Sequence, residues 1–344
     1  MTIIGPGSGG RSDRFEQAQS LVDQAHRESD PERTIGYFEQ ALELLQGAGP
    51  SVLMADTLRW MGTVYRDSGN SVEAEVLYTR SLRMGMELGA VGSQARALNY
   101  LGLMAQKRAQ TEVADGFYRR AAGLAAQAKD LRLSGIIEQN LGVMASICGD
   151  LDVALVRYSD SLAGFEAARD DRGISSVLND LGSLYTTLGD HEAADNALNR
   201  GLELAERRGD RRMESQLLIN LATLAIKFGS VHAADGLLDR ASAIADLRAD
   251  KLRRAEVLKL RGLILREKGE HREAIDVLDD AHDLAVETGD TLLLAEVMRE
   301  LGDTWGQLGD AARAAGLWEQ ALGYFNELGA VVDVVDMQWR LGGA

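Results

Sequence analysis

Side chains that carry both a hydrogen-bond donor and an acceptor recur in one column of this 344-residue chain. They fall in the pairs Asn99-Tyr100, Gln139-Asn140, Asn179-Asp180 and Ile219-Asn220, each 40 residues after the last. A carboxamide offers two N–H donors and an oxygen acceptor, so a row of them can pair with successive backbone amides of an extended peptide. Neighbouring columns add Thr63, Ser146, Ser183, Thr186, Thr187, Thr223 and Lys227. Arg59, Arg66 and Lys107 stand toward one end of the row, where they would attract acidic residues of such a peptide. The pattern therefore nominates Asn99, Gln139, Asn140, Asn179, Asp180, Asn220, Arg59, Arg66 and Lys107 as a peptide-binding set. The same amides have a second reading, in which they bond one structural element to the next and hold the array together.

No other reactive side chains form a constellation. The histidines are His26, His191, His232, His271 and His282, with no His-x-x-x-His spacing to hold a metal. Three of them follow the same turn about 40 residues apart and are expected to face solvent. Asp276, Asp279, Asp280 and Asp283 read as a solvated acidic face. Cys148 is the single cysteine, which excludes an intrachain disulfide and a cysteine-based zinc site, and its place at a helix end suits packing. Serine, histidine and aspartate occur without the strand-turn-helix context of a nucleophile elbow or a triad. Gly5-Pro-Gly-Ser-Gly-Gly10 lacks the Gly-Lys-Ser/Thr ending and the preceding strand of a phosphate loop. The expectation is no enzyme and no cofactor.

Composition limits the partners. A net charge of −16 repels nucleic-acid phosphates and anionic lipid headgroups. The stretch 91–130 is the local exception, with Arg96, Lys107, Arg108, Arg119, Arg120 and Lys129 against three acids. Its aromatics, Tyr100, Phe117 and Tyr118, fall at packing positions, so nucleic acid is not expected. No apolar run reaches the roughly 18 residues of a membrane span. The N-terminus lacks the basic start and apolar core of a secretory signal, and a cytoplasmic location is expected. Only three prolines occur, none after Pro50, and aromatics are 5 % of the chain, which favours helix over sheet.

The elements that must position the amides are announced by a repeat. Met61-Gly62, Leu101-Gly102, Leu141-Gly142, Leu181-Gly182, Leu221-Ala222, Arg261-Gly262, Leu301-Gly302 and Leu341-Gly342 recur every 40 residues without slippage. Twelve residues after each small residue stand Ala74, Ala114, Ala154, Ala194, Ala234, Ala274 and Ala314. Seven further on stand Ser81, Ala121, Ser161, Gly201, Ala241, Ala281 and Ala321. Large side chains lie between them, including Tyr78, Tyr118, Tyr158, Leu198, Leu238, Leu278 and Trp318. Knobs and notches thus alternate at helical spacing. A second glycine (69, 149, 189, 229, 269, 309) followed by Asn, Asp, Ser or Glu punctuates each unit, with Ala109 in its place in one copy. That is a left-handed helix stop followed by a helix N-cap. Each unit is therefore two helices of about 16 residues, roughly 24 Å long at the usual rise.

This pattern resembles the tetratricopeptide repeat over about residues 14–342, with units of 40 residues where the common unit has 34. Units of this length are similar to those of Pins-type adaptors, kinesin light chains and bacterial peptide-sensing regulators. The resemblance implies an all-α, right-handed superhelical solenoid of about eight hairpins plus a C-terminal helix. It also implies that the first helix of each hairpin lines the concave side, and that Asn140 and Asn220, and less well Asp180, match an asparagine these families use to hold peptide backbone. The units fall near 13–50, 51–90, 91–130, 131–170, 171–210, 211–250, 251–290 and 291–330, with a terminal helix at 331–342 and a disordered segment at 1–12. The expected function is a protein–protein interaction adaptor that takes an extended peptide or protein segment in its groove. The alternatives are a ligand-sensing module of a larger regulator and a self-assembling scaffold joined through the terminal helix.

Overall fold

The computed structural model describes residues 9–342, with side chains from residue 12, and among them it holds helices and no strand. By contact the chain divides into two compact units, residues 1–137 and 138–344, where the repeat predicts one array. The first unit contains α1 (Gly9–Ala25), α2 (Pro31–Ala48), α3 (Val52–Asp67), α4 (Ser71–Glu87), α5 (Val91–Lys107), α6 (Thr111–Ala128) and the start of α7 (Leu131–Ile147). The second contains the rest of α7, then α8 (Leu151–Ala167), α9 (Asp171–Leu188), α10 (His191–Arg208), α11 (Arg211–Lys227) and α12 (Val231–Leu247). It continues through α13 (Lys251–Glu267), α14 (His271–Thr288), α15 (Thr291–Leu308), α16 (Ala311–Leu328) and α17 (Val331–Gly342). The segment expected to be disordered overlaps the start of α1 at Gly9, and residues 1–8 lie outside the described residues.

The predicted notches receive the predicted knobs. A Cβ placed on Gly142 would lie 2.6 Å from the Tyr158 ring, one on Gly102 2.6 Å from Tyr118, and one on Gly62 2.8 Å from Tyr78. Leu198, Leu278 and Trp318 fill the notches at Gly182, Gly262 and Gly302 in the same way. A methyl group at these sites would force the ring or branch aside in a core packed to crystal-like density. Ala74, Ala114, Ala154, Ala194, Ala234, Ala274 and Ala314 are fully buried across from them.

Caps set the helix ends. Asp170, Asp190, Asp210, Asp250, Asp290 and Asp310 each accept the N–H three residues on, at 2.9–3.2 Å, which satisfies one of the orphan donors of a helix start. Ala109 adopts φ +54°, the left-handed turn that the other copies make with glycine. The turn is thus kept at a strain of about 1 kcal/mol.

Stacking is asymmetric within residues 138–344. The first helices α9, α11, α13 and α15 touch one another in sequence, whereas among the described residues no contact of that size joins α10, α12, α14 and α16. Helices that crowd on one side and spread on the other bend the stack, so the first helices form the inner wall of this unit.

Candidate functional site

The inner wall carries the amides. Gln139 on α7 donates through Nε2 to Ser176 Oγ at 2.9 Å and to Asp180 Oδ2 at 2.7 Å, both on α9. Asn179 donates to Asp180 Oδ1 at 3.4 Å. Asn220 on α11 donates to Asn179 Oδ1 at 2.8 Å. Four of the nominated residues thus form one hydrogen-bonded chain across three successive first helices. Asn140 lies beside Gln139 and is likewise half-buried. At the end of the same face Lys227 Nζ caps the carbonyls of Thr186 and Thr187 at 2.5 and 3.3 Å, closing the C-terminus of α9 against α11.

The chain is tied together but not saturated. These bonds use the donors of Gln139 and one N–H of Asn220, and leave the carbonyl oxygens of both for another partner. Asp180 is the one acid among the amides. Burial pushes its carboxyl up to about 6, against the donors of Gln139 and Asn179, which favour the charged form.

Residues 1–137 hold the rest of the nominated set. Asn99 on α5 is buried. Arg59 and Arg66, both on α3, place their guanidinium carbons 5.7 and 5.5 Å from the Tyr100 ring centre. Tyr100 in turn stacks on Tyr78 at 4.9 Å. Arg66 is further held by Asp67 at 2.7 Å. Beside this group a cavity of about 440 Å³ is lined by residues of α3, α5 and the start of α7, among them Arg59, Trp60, Arg96 and Asn99. Lys107 lies exposed in the last turn of α5 and does not line it.

Farther on the amide column reads Lys259-Leu260, Arg299-Glu300 and Trp339-Arg340, with no amide among them. The structure shows polar rungs continuing with different chemistry. Lys259 pairs with Glu296, Arg299 with Asp333 at 2.7 Å, and Arg340 grips Asp303 through two bonds of 2.8 and 3.1 Å. Arg266, only 8 % exposed, sits 2.8 Å from Glu300 Oε2 and donates to the Glu300 carbonyl at 3.2 Å. Burial opposes charge on Lys259, but Glu296, Glu256 and Glu300 outweigh it and hold its ammonium above the usual range. The signal that could have found these rungs is spacing. Partners lie 34, 37 or 41 residues apart, one hairpin onward and then six or three residues back or one residue on.

The remaining chemistry-bearing side chains assemble nothing. His191 and His232 are exposed and His271 is half-buried. The Cys148 thiol is pushed up by burial and by Asp150. Among the described residues no group of three or more His, Cys, Asp or Glu side chains could hold a metal, and no helix is long and apolar enough to cross a membrane.

One stretch of the chain, residues 133–207, which carries Gln139, Asn140, Asn179 and Asp180, matches the tetratricopeptide repeat family. The fold is shared with solved structures across nearly the whole chain. One is a Rap protein complexed with competence and sporulation factor (13 % identity, 98 % of each chain, TM-score 0.66). Another is the apo quorum sensor NprR from B. thuringiensis (16 %, 91 % of this chain and 87 % of that one, 0.66). A third is aspartyl phosphate phosphatase F from Bacillus subtilis (10 %, 96 % and 98 %, 0.67). No curated protein matches the chain by sequence.

Proposed function

We propose that this chain is a protein-interaction adaptor whose inner wall in residues 138–344 takes an extended peptide segment. The observation that carries the reading is the chain Gln139–Asp180–Asn179–Asn220. It orders amides at one helix spacing each, roughly 8–10 Å, and keeps carbonyl acceptors for a backbone laid across them. A pre-ordered polar row lowers the entropic cost of binding, because its side chains are already held by their neighbours. Two of the solved structures that share the fold are complexes, one with competence and sporulation factor and one with a peptide, which supports a protein or peptide as the partner class.

The test uses the intact chain, its Asn220→Ala variant and its Asn140→Ala/Asn220→Ala variant in a pull-down from native lysate, each with a thermal melt. Loss of a partner from the variants, with each Tm within a few degrees of the parent, is the expected outcome. A partner retained by both, together with a lowered Tm, would assign the asparagines to holding the stack. Self-assembly through α17 is the second reading, favoured by Val331, Val335 and Trp339, which are exposed at one helical spacing. Light scattering separates the two, since a monomeric mass at high protein concentration removes the second.

A further inference from the structure

We propose that the 440 Å³ cavity between α3, α5 and the start of α7 is an anchoring pocket for a peptide carboxylate that adjoins an apolar side chain. The proposal rests on the peptide-binding reading and names a ligand feature that the amide row does not select.

Three successive first helices each bring one arginine to this cavity, Arg59, Arg96 and Arg132. The single acid in the lining is Asp130, and both of its oxygens are engaged. Oδ1 accepts the Leu133 N–H at 3.0 Å, and Oδ2 takes Arg96 at 2.6 Å. Arg59 is the under-satisfied group. It is 7 % exposed, its closest acid is Asp56 at 3.6 Å, and neither Arg59 Nε nor Asp56 Oδ1 has a hydrogen-bond partner. A buried guanidinium with unmade hydrogen bonds is costly. The faces of Trp60, 5.1 Å away, and Tyr100 offset part of that cost. A carboxylate entering the cavity would meet the fork geometry that guanidinium groups bind best. Leu133, Ile136 and Trp60 form an apolar wall for the adjoining side chain.

The global field works against this ligand, since the chain carries −16. Long-range attraction therefore contributes nothing, and selection must come from contact within the pocket. The carboxylate has two sources, an Asp or Glu side chain or the α-carboxylate of a peptide end.

The test is fluorescence polarisation with the full chain and fluorescein-labelled nonapeptide mixtures. One central residue is held as Glu, Asp, Gln or Asn, and each mixture is made as free acid and as C-terminal amide. If a side chain is the source, the Glu and Asp mixtures are expected to bind about 10–150-fold tighter than the Gln and Asn mixtures, the range for one charge-assisted bond. Arg59→Gln should bring that ratio near one, and Arg59→Lys should restore part of it. Arg132→Gln, at the exposed rim, should lower the ratio without touching the core, and a thermal melt verifies that each variant folds. A preference for Glu and Asp over Gln and Asn that survives C-terminal amidation assigns the side-chain source, and a preference for free acids over C-terminal amides whatever the central residue assigns the peptide end. Equal binding of all mixtures, acidic and neutral, free acid and C-terminal amide alike, overturns the pocket alone. A preference unchanged in folded Arg59 and Arg132 variants does the same, and failure of every mixture to bind overturns the peptide reading with it.

Discussion

The inner wall of residues 138–344 is joined in two chemically different ways. From α7 to α11 the rungs are neutral amides around one acid, Gln139, Asn179, Asp180 and Asn220. From α13 to α17 they are ion pairs, Lys259–Glu296, Arg266–Glu300, Arg299–Asp333 and Arg340–Asp303. Both sets cross from hairpin to hairpin, the amides over 37 and 41 residues and the ion pairs over 34 and 37. The difference lies in what each leaves over. A charged pair costs heavily if either member is removed. An amide has more bonding sites than one neighbour can fill, so the amide end keeps capacity for a ligand while the ionic end serves to hold the array.

Four measurements would break or sharpen that contrast. The largest effect is expected from Arg266→Met, which takes away the buried cation 2.8 Å from Glu300 Oε2. Urea unfolding should show a loss of about 3 kcal/mol, the scale for a broken buried pair. A loss under 1 kcal/mol would deny the ionic end its structural role. Asn179→Ala removes the middle of the amide chain and should cost only about 1 kcal/mol, the net worth of an ordinary hydrogen bond. A loss equal to that of Arg266→Met would erase the distinction between the two ends.

The third measurement is a pH series. The Asp180 carboxyl titrates near 6 in the folded chain, above its ordinary value of 3.8. The folded state therefore binds the proton more tightly than the unfolded state, and this group's stabilising contribution is present at low pH and declines as pH rises from about 4 to about 6. Asp180→Asn should remove that decline from the stability profile. An unaltered profile would show that the acid is not desolvated among the amides. The smallest effect is expected at the exposed pairs Arg200–Glu166 and Arg240–Glu206 on the second helices, which span 34 residues as some inner rungs do. Alanine at Arg200 or Arg240 should change stability by less than about 1 kcal/mol, and salt should shrink the change further. A larger effect would make exposure irrelevant to the worth of a rung.

Arg59 illustrates the limit of reading chemistry from a column. Sequence places it as an attractor of acidic ligand residues at one end of the row, together with Arg66 and Lys107. In the structure Arg59 is buried against Trp60 and Tyr100, Arg66 is held by Asp67 above the same tyrosine, and Lys107 stands apart and exposed. Aromatic neighbours, invisible to a charge count, decide which cation turns inward. The ionic rungs were missed for a related reason. Comparison at a fixed 40-residue interval sees identical positions, whereas long side chains reach back or forward along a helix before they meet a partner.

By itself the sequence determined the local and the periodic. Gly142 and Tyr158, Gly102 and Tyr118, and the aspartate caps meet within one hairpin, where sequence separation is small and helix geometry leaves one way to pack. Fold class and hairpin boundaries follow from those contacts alone. The tertiary structure decided what happens between hairpins. Whether Asn220 finds Asn179 and whether Lys259 finds Glu296 depend on how far each hairpin is rotated on the last. That rotation is a sum of small packing terms over many side chains, and no single residue announces it.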